Sequence, residues 1–223
     1  MVTSEYRLVL TQKDRDFINQ ILDPTGRQSQ SLDFLLYDPE SVTSLLDDSR
    51  LYDTIMDCGY PVSISQHLYF YLILRHEMVE HGISNPQLPE YISWSLSDFV
   101  LDHPISERNP GAMHGHFLNA VDFVELVKSV DSYQKFMLEL WAGNYYLIWA
   151  GVFHDFLERR ERMHGAPGVR FYEKLGWSSF QFAQKHPLAH EFEMDGLLDE
   201  MVHEYFSLRR VLSRISDEIL VWN

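Results

Sequence analysis

The sequence has one cysteine, Cys58, among its 223 residues. That excludes an intramolecular disulfide and any cysteine-rich zinc site. Basic residues are also scarce: 18 Lys+Arg stand against 33 Asp+Glu, for a formal net charge of −15. A surface of that sign repels phosphate backbones and anionic lipid at long range, so neither nucleic acid nor membrane is an expected partner. No apolar core follows a basic start in MVTSEYRLVLTQKDRD, so a secretory leader is not expected. The longest apolar stretch, Leu138 to Phe153, is interrupted by Glu139 and Asn144 and is too short to span a bilayer. These absences lead to the expectation of a cytoplasmic protein. Alternating strand patterns, glycine-rich phosphate loops, Gly-x-Ser-x-Gly elbows, haem-attachment motifs and dinucleotide fingerprints are absent as well.

What is present is apolar spacing of helical period along nearly the whole chain. Hydrophobic residues make up 45% and charged residues 23%, the composition of a packed globular protein. The punctuation sets helix ends. Thr11 is expected to cap a helix running to about Leu22, stopped by Asp23-Pro24-Thr25-Gly26. Asp38-Pro39 and Asn85-Pro86 have the form of a cap followed by proline in the first turn. Gly59, Gly82 and Gly165 stand where C-terminal caps are expected. His186-Pro187 breaks the late helices, and Ser207 is read as a start for the last one. The pattern predicts an all-α fold of nine or ten helices, a single compact multi-helix domain over residues 1–223, with residues 103–113 as its one extended loop.

A long buried central helix is expected from Ser132 to His164. Its first half, FMLELWAGNYYLIWAGVF, is apolar on every side, the mark of a helix enclosed by others. Gly143 and Gly151 fall on nearly one face, and each costs roughly 1 kcal/mol of helix propensity against alanine. Close approach of a neighbouring helix offsets that cost, and Asn144 near the same face then needs hydrogen-bond partners.

The segment LILRHEMVEHGI, Leu72 to Ile83, raises the question of a metal. A helix from Ser63 to His81 would gather Ile64, Leu68, Tyr71, Leu72, Met78 and Val79 on one side. His76, Glu77, Glu80 and His81 would fall opposite, with Arg75 intruding on the apolar side. The His-Glu-x-x-His spacing of zincins is not met. A di-iron type oxidase is a second reading. Such helical oxidases, with iron or manganese, take acids and histidines from several helices. Three pairs four residues apart supply candidates: Glu77/His81, His154/Glu158 and Asp199/His203. The familiar Glu-x-x-His spacing is missing at all three, and the six side chains are expected to lie on polar faces without converging. No cofactor is therefore expected under the leading reading. For Arg75 the expectation is a carboxylate partner or a solvent-reaching head, with anion recognition as the alternative.

Arginines cluster in one further place. ERRERMHGAPGVRFYEKLGW holds Arg159, Arg160, Arg162 and Arg170 in an otherwise acidic chain. The first three complement a helix C-terminus. The alternative is a small-anion site, where Ala166-Pro167-Gly168 turns the chain into a new helix whose free N–H groups stand beside arginines.

RRERMHGAPGVRFYEKLG, AQKHPLAHEFEM and WAGNYYLIWAGVF resemble a family of uncharacterised all-helical bacterial proteins. The resemblance runs over most of the chain and implies a helical bundle or a fold of its own. It carries no activity and no catalytic residue. The leading functional expectation is a non-enzymatic helical module, interacting with another protein or with a second copy of itself, or serving regulation.

Overall fold

A computed structural model describes residues 7–26, 29–58, 63–102 and 120–219. Among these, every regular element is an α-helix and no strand occurs, as the spacing predicts. The helices are α1 (Gln12–Leu22), α2 (Ser29–Tyr37), α3 (Pro39–Leu46), α4 (Ser49–Cys58), α5 (Gln66–Glu80), α6 (Gln87–Asp102), α7 (Ala120–Ser129), α8 (Ser132–Val152), α9 (His154–His164), α10 (Val169–Gln184), α11 (Pro187–Glu191) and α12 (Asp195–Glu218). The expected cap at Gly59 and the loop at 103–113 lie outside the described residues. Packing groups the chain into two compact units, with the boundary between Ser97 and Asp98.

In the N-terminal unit, helix starts are tied together by one buried carboxylate. Thr11 and Asp14 form a capping box on α1: the Asp14 N–H donates to Thr11 Oγ1 at 3.3 Å, and the Thr11 N–H donates to Asp14 Oδ2 at 2.8 Å. The other oxygen of Asp14 accepts the Ser65 N–H at 2.7 Å. Ser65 in turn caps α5 by accepting from the Leu68 N–H at 3.1 Å. Asp14 is fully buried, so its loss would orphan donors at the starts of two helices.

The two aspartate/asparagine–proline starts hold. Asp38 accepts from the Ser41 N–H at 2.9 Å ahead of α3. Asn85 Oδ1 accepts from the Gln87 N–H at 3.0 Å as α6 begins. Helix α5 differs from its expected outline. It starts at Gln66, behind the Ser65 cap, and Leu68 and Phe70 to Leu74 are all buried. A helix enclosed on more than one side has no single apolar stripe. Glu77 is accordingly buried beside Met78, whereas Val79, assigned to the apolar side, is 48% exposed.

The C-terminal unit is built on α8, whose buried residues include Phe136, Leu140 and every position from Tyr145 to Val152. Helices α10 and α12 pack on it, and α7 and α9 touch it. Glycines set the spacing of the three main helices. A Cβ on Gly143 would stand 2.9 Å from the Phe180 ring of α10. One on Gly151 would stand 2.6 Å from Leu212 Cβ of α12. One on Gly176 of α10 would strike the Tyr205 hydroxyl of α12 and come within 3.0 Å of Tyr146 Cβ. Thus Gly143 and Gly151, eight residues apart, admit two different neighbours, and a third glycine, not foreseen, completes the triangle.

Two helix boundaries are corrected. The expected helix from Ser132 to His164 is interrupted at Phe153. The carbonyls of Gly151 and Val152 accept instead from hydroxyls of α12: Ser213 Oγ at 3.0 Å and Ser216 Oγ at 2.8 Å. Side chains thereby satisfy groups that a continuous helix would have paired with its own N–H groups. Helix α12, by contrast, runs unbroken through Ser207. Its buried residues, from Leu197 and Leu198 through Met201, Tyr205 and Leu208 to Ile215, keep one face on the unit's core on both sides of that serine. A serine begins a helix only where the chain has first left helical geometry, and nothing at 207 makes it do so.

Gly82, just past α5 (φ 79°), and Gly165, past α9 (φ 60°), adopt the left-handed conformation expected of C-terminal caps. His186-Pro187 separates α10 from α11 as expected, and His186 also caps α11 by accepting from the Leu188 N–H, a role not expected from the sequence.

Candidate functional site

Helix α5 places Arg75 in a clamp. Its Nε and Nη2 donate to the two oxygens of Asp47 at 2.6 and 2.8 Å, and Nη1 donates to the Ser84 carbonyl at 2.7 Å. The bidentate bond to Asp47 holds the guanidinium above its ordinary pKa. Arg75 therefore joins α5 to the residue after α3 and to the turn after α5, the carboxylate partnership expected for an arginine at that position. Next to it, the His76 ring stacks on Tyr52 with centroids 3.6 Å apart and planes within 8°. Asp47, Asp48, Tyr52, Arg75, His76 and Glu80 line an open cleft of about 170 Å³. Asp48 is engaged by Arg50, which lowers its pKa. The cations and acids of the cleft are thus committed largely to one another.

None of the three acid–histidine pairs has its two members turned toward each other. His81 Nδ1 donates to the backbone carbonyl of Glu77 at 2.7 Å, while the Glu77 side chain is buried. Asp199 accepts from Gln184 Nε2 at 2.8 Å, and His203, 79% exposed, lies 3.5 Å from Glu204. Glu158 is exposed, and His154 faces other acids: its Nε2 is 3.3 Å from Asp217 Oδ1 and 3.7 Å from Asp155 Oδ1. Among the described residues, His154, Asp155 and Asp217 form the one group of three whose ligand atoms all lie within 4.8 Å of one another. Sequence spacing could not find it. Asp155 is adjacent to the histidine and Asp217 belongs to α12, so no helical repeat links the three.

The arginine corner takes the expected backbone form, with Gly165 ending α9 and Val169 opening α10 behind Gly168. Arg159, Arg162 and Arg170 are exposed. The Glu161 carboxylate packs against Gly168, at the start of α10 where an anion would be received. An acid of the chain itself thus stands where the alternative reading would seat an anion.

The outer face of α9 joins those arginines to apolar surface. Leu157 is its one buried residue among eleven. At about 100° per residue, Phe156, Arg159, Arg160 and Met163 share a sector roughly 100° wide. Met163 is 69% exposed and Phe156 39%. The Arg160 guanidinium lies 5.6 Å from the Phe156 ring centroid, over its face. Phe156 also meets Trp149 of the core at 5.7 Å, so the face is anchored from beneath. Charge contrast in the sequence marks the arginines but not the apolar residues that flank them. The signal was available in the 156/160/163 spacing, which lies within a helix of otherwise polar composition.

Comparison with models of protein families, with curated proteins and with solved structures found no match.

Proposed function

We propose that this chain is a non-enzymatic helical module that docks an acidic, amphipathic segment of another protein on the outer face of α9. The observation that carries the reading is the exposed Phe156–Arg160–Met163 stripe with Arg159 at its edge. Full burial of a Phe or Met side chain stabilises by roughly 1.5–3 kcal/mol. An exposed ion pair adds only about 0.2–1 kcal/mol. Apolar contact would supply most of the affinity and the arginines the orientation and the sign of the partner. After the cost of association, an affinity of about micromolar order is expected.

Charge also selects between partners. A symmetric pair of chains meeting through α9 would set Arg159, Arg160 and Arg162 against their own copies, so a different, acidic partner is favoured over a second copy. The net charge of −15 opposes an acidic partner at a distance. At physiological ionic strength that field is screened beyond about 8 Å, leaving the local arginines to decide at contact. The di-iron oxidase alternative, with iron or manganese, has less support. It needs acids and histidines directed at a common centre, and the three pairs are each directed elsewhere.

The test is fluorescence anisotropy with a labelled amphipathic peptide of Glu and Leu heptads as the probe. Binding should weaken with salt, fall at least about tenfold in the double variant Arg159→Glu/Arg160→Glu, and weaken in Met163→Ser. Equal binding of a Lys/Leu counterpart, or an unchanged affinity in the charge-reversed variant, would overturn the proposal.

A further inference from the structure

We infer that His154, Asp155 and Asp217 form a binding site for a first-row divalent cation of the zinc type, at the junction of α8 and α9. The argument starts at the far side of the ring. His154 Nδ1 lies 2.8 Å from the Gly151 carbonyl oxygen. A carbonyl only accepts, so Nδ1 carries a proton, and the lone pair that Nε2 can offer a metal is on the opposite edge. That lone pair faces Asp217 Oδ1 at 3.3 Å and Asp155 Oδ1 at 3.7 Å. Three such atoms within 4.8 Å of one another are stabilised by a positive charge among them.

A proton on Nε2 is one such charge, and a metal ion is the other. The distances favour the metal. A charge-assisted N–H···O bond closes to about 2.7–2.9 Å, shorter than either separation here. Two ligand atoms each about 2.0–2.1 Å from a tetrahedral ion stand about 3.3–3.4 Å apart, the spacing of Nε2 to Asp217 and within a few tenths of that to Asp155. The support for the ring is also of the kind a ligand histidine has, with its second nitrogen held by a backbone carbonyl.

The donor set names the class of ion. One imidazole nitrogen with two carboxylate oxygens suits zinc and its first-row neighbours, whereas calcium and magnesium take oxygen alone. His154 is 15% exposed, Asp155 79% and Asp217 52%. The carboxylates thus reach solvent, and a fourth position would be open to water. The ion would tie the first turn of α9 to the last turn of α12, beside the Ser213 and Ser216 bonds that already hold the end of α8. The site stands independently of the α9 docking face.

Isothermal titration of zinc chloride into the full chain tests it. One equivalent per chain is expected. His154→Ala and Asp217→Asn should each weaken binding by about 10–100-fold or more. His190→Ala, which removes an exposed ring lying 3.0 Å from Asp195, should leave it unchanged. Asp217→Asn alters only an exposed carboxylate, and its unchanged circular dichroism would separate loss of a ligand from loss of fold. No binding to the parent chain, or wild-type binding by both His154→Ala and Asp217→Asn, the mark of adventitious zinc on surface groups, would overturn the inference.

Discussion

Helices α8 and α9 are separated by a single residue, Phe153, and live in opposite surroundings. Helix α8 is buried at every position from Tyr145 to Val152, with Tyr133 and Trp141 exposed nearer its start, and its glycines admit the Phe180 ring and Leu212 at distances no other residue allows. Helix α9 buries Leu157 and leaves Phe156, Met163 and its arginines toward solvent. The lesson is a division of labour along one stretch of chain. Packing has used up the apolar surface of α8 from Tyr145 to Val152, so what that half contributes is stability. The apolar surface of α9 is left over, and leftover surface beside cations is what a partner can use.

The comparison can be broken first at the glycines. Gly143→Leu should overpack the contact with Phe180 and lower stability by about 1–3 kcal/mol in equilibrium denaturation. Met163→Ser on α9 should stay within about 0.5 kcal/mol. Equal melting of the glycine variant and the parent would mean that α8 is not the enclosed helix. The boundary between the two helices is the next place. Removing the hydroxyls in Ser213→Ala and Ser216→Ala should cost about 1 kcal/mol each and speed hydrogen exchange near Phe153. Unchanged exchange would show that the break does not depend on those serines.

A smaller effect separates acids on the two helices. Burial is the main cause holding Glu139 of α8 above the usual carboxylate pKa, against a hydrogen bond from Ser179 and the charge of Lys135, which lower it. A raised pKa means the folded chain keeps its proton longer than the unfolded one. Stability contributed by the protonated form is therefore lost as pH rises from the ordinary carboxylate range through the raised value. Glu139→Gln should flatten that fall and leave the variant the more stable above it, whereas Glu158→Gln at an exposed position of α9 should leave stability within about 0.5 kcal/mol. A parallel pH profile for Glu139→Gln and the parent would contradict the assignment.

How much of this was legible follows from what each feature depends on. Capping residues act within a few positions of themselves, so Thr11, Asp38, Gly82 and Gly165 could be read directly. The burial of α8 from Tyr145 to Val152 was legible because enclosure leaves no polar side in the sequence, whereas the exposure of Trp141 in the same apolar run was not. The end of α8 was not, since it is set by Ser213 and Ser216, some sixty residues away. The same holds for the candidate site. His154 was singled out, yet its acids proved to be Asp155 and Asp217, brought in by the junction and by α12, while Glu158 on the helical repeat points to solvent. In LILRHEMVEHGI the wheel described a half-buried helix, and α5 is enclosed more fully than that. Glu77 therefore went inside and Val79 outside. The arginines of α9 stood out against the acidic chain, but their meaning depended on Phe156 and Met163 staying exposed, which only packing decides.

Amide hydrogen exchange across residues 132–164, with and without the Glu/Leu peptide, tests the docking face most directly. Residues 136–152 should be protected in both states, and the peptide should add protection within 156–163 that Arg159→Glu/Arg160→Glu abolishes. Added protection confined to other helices, or none at all at saturating peptide, would contradict the assignment of α9 as the surface this protein uses.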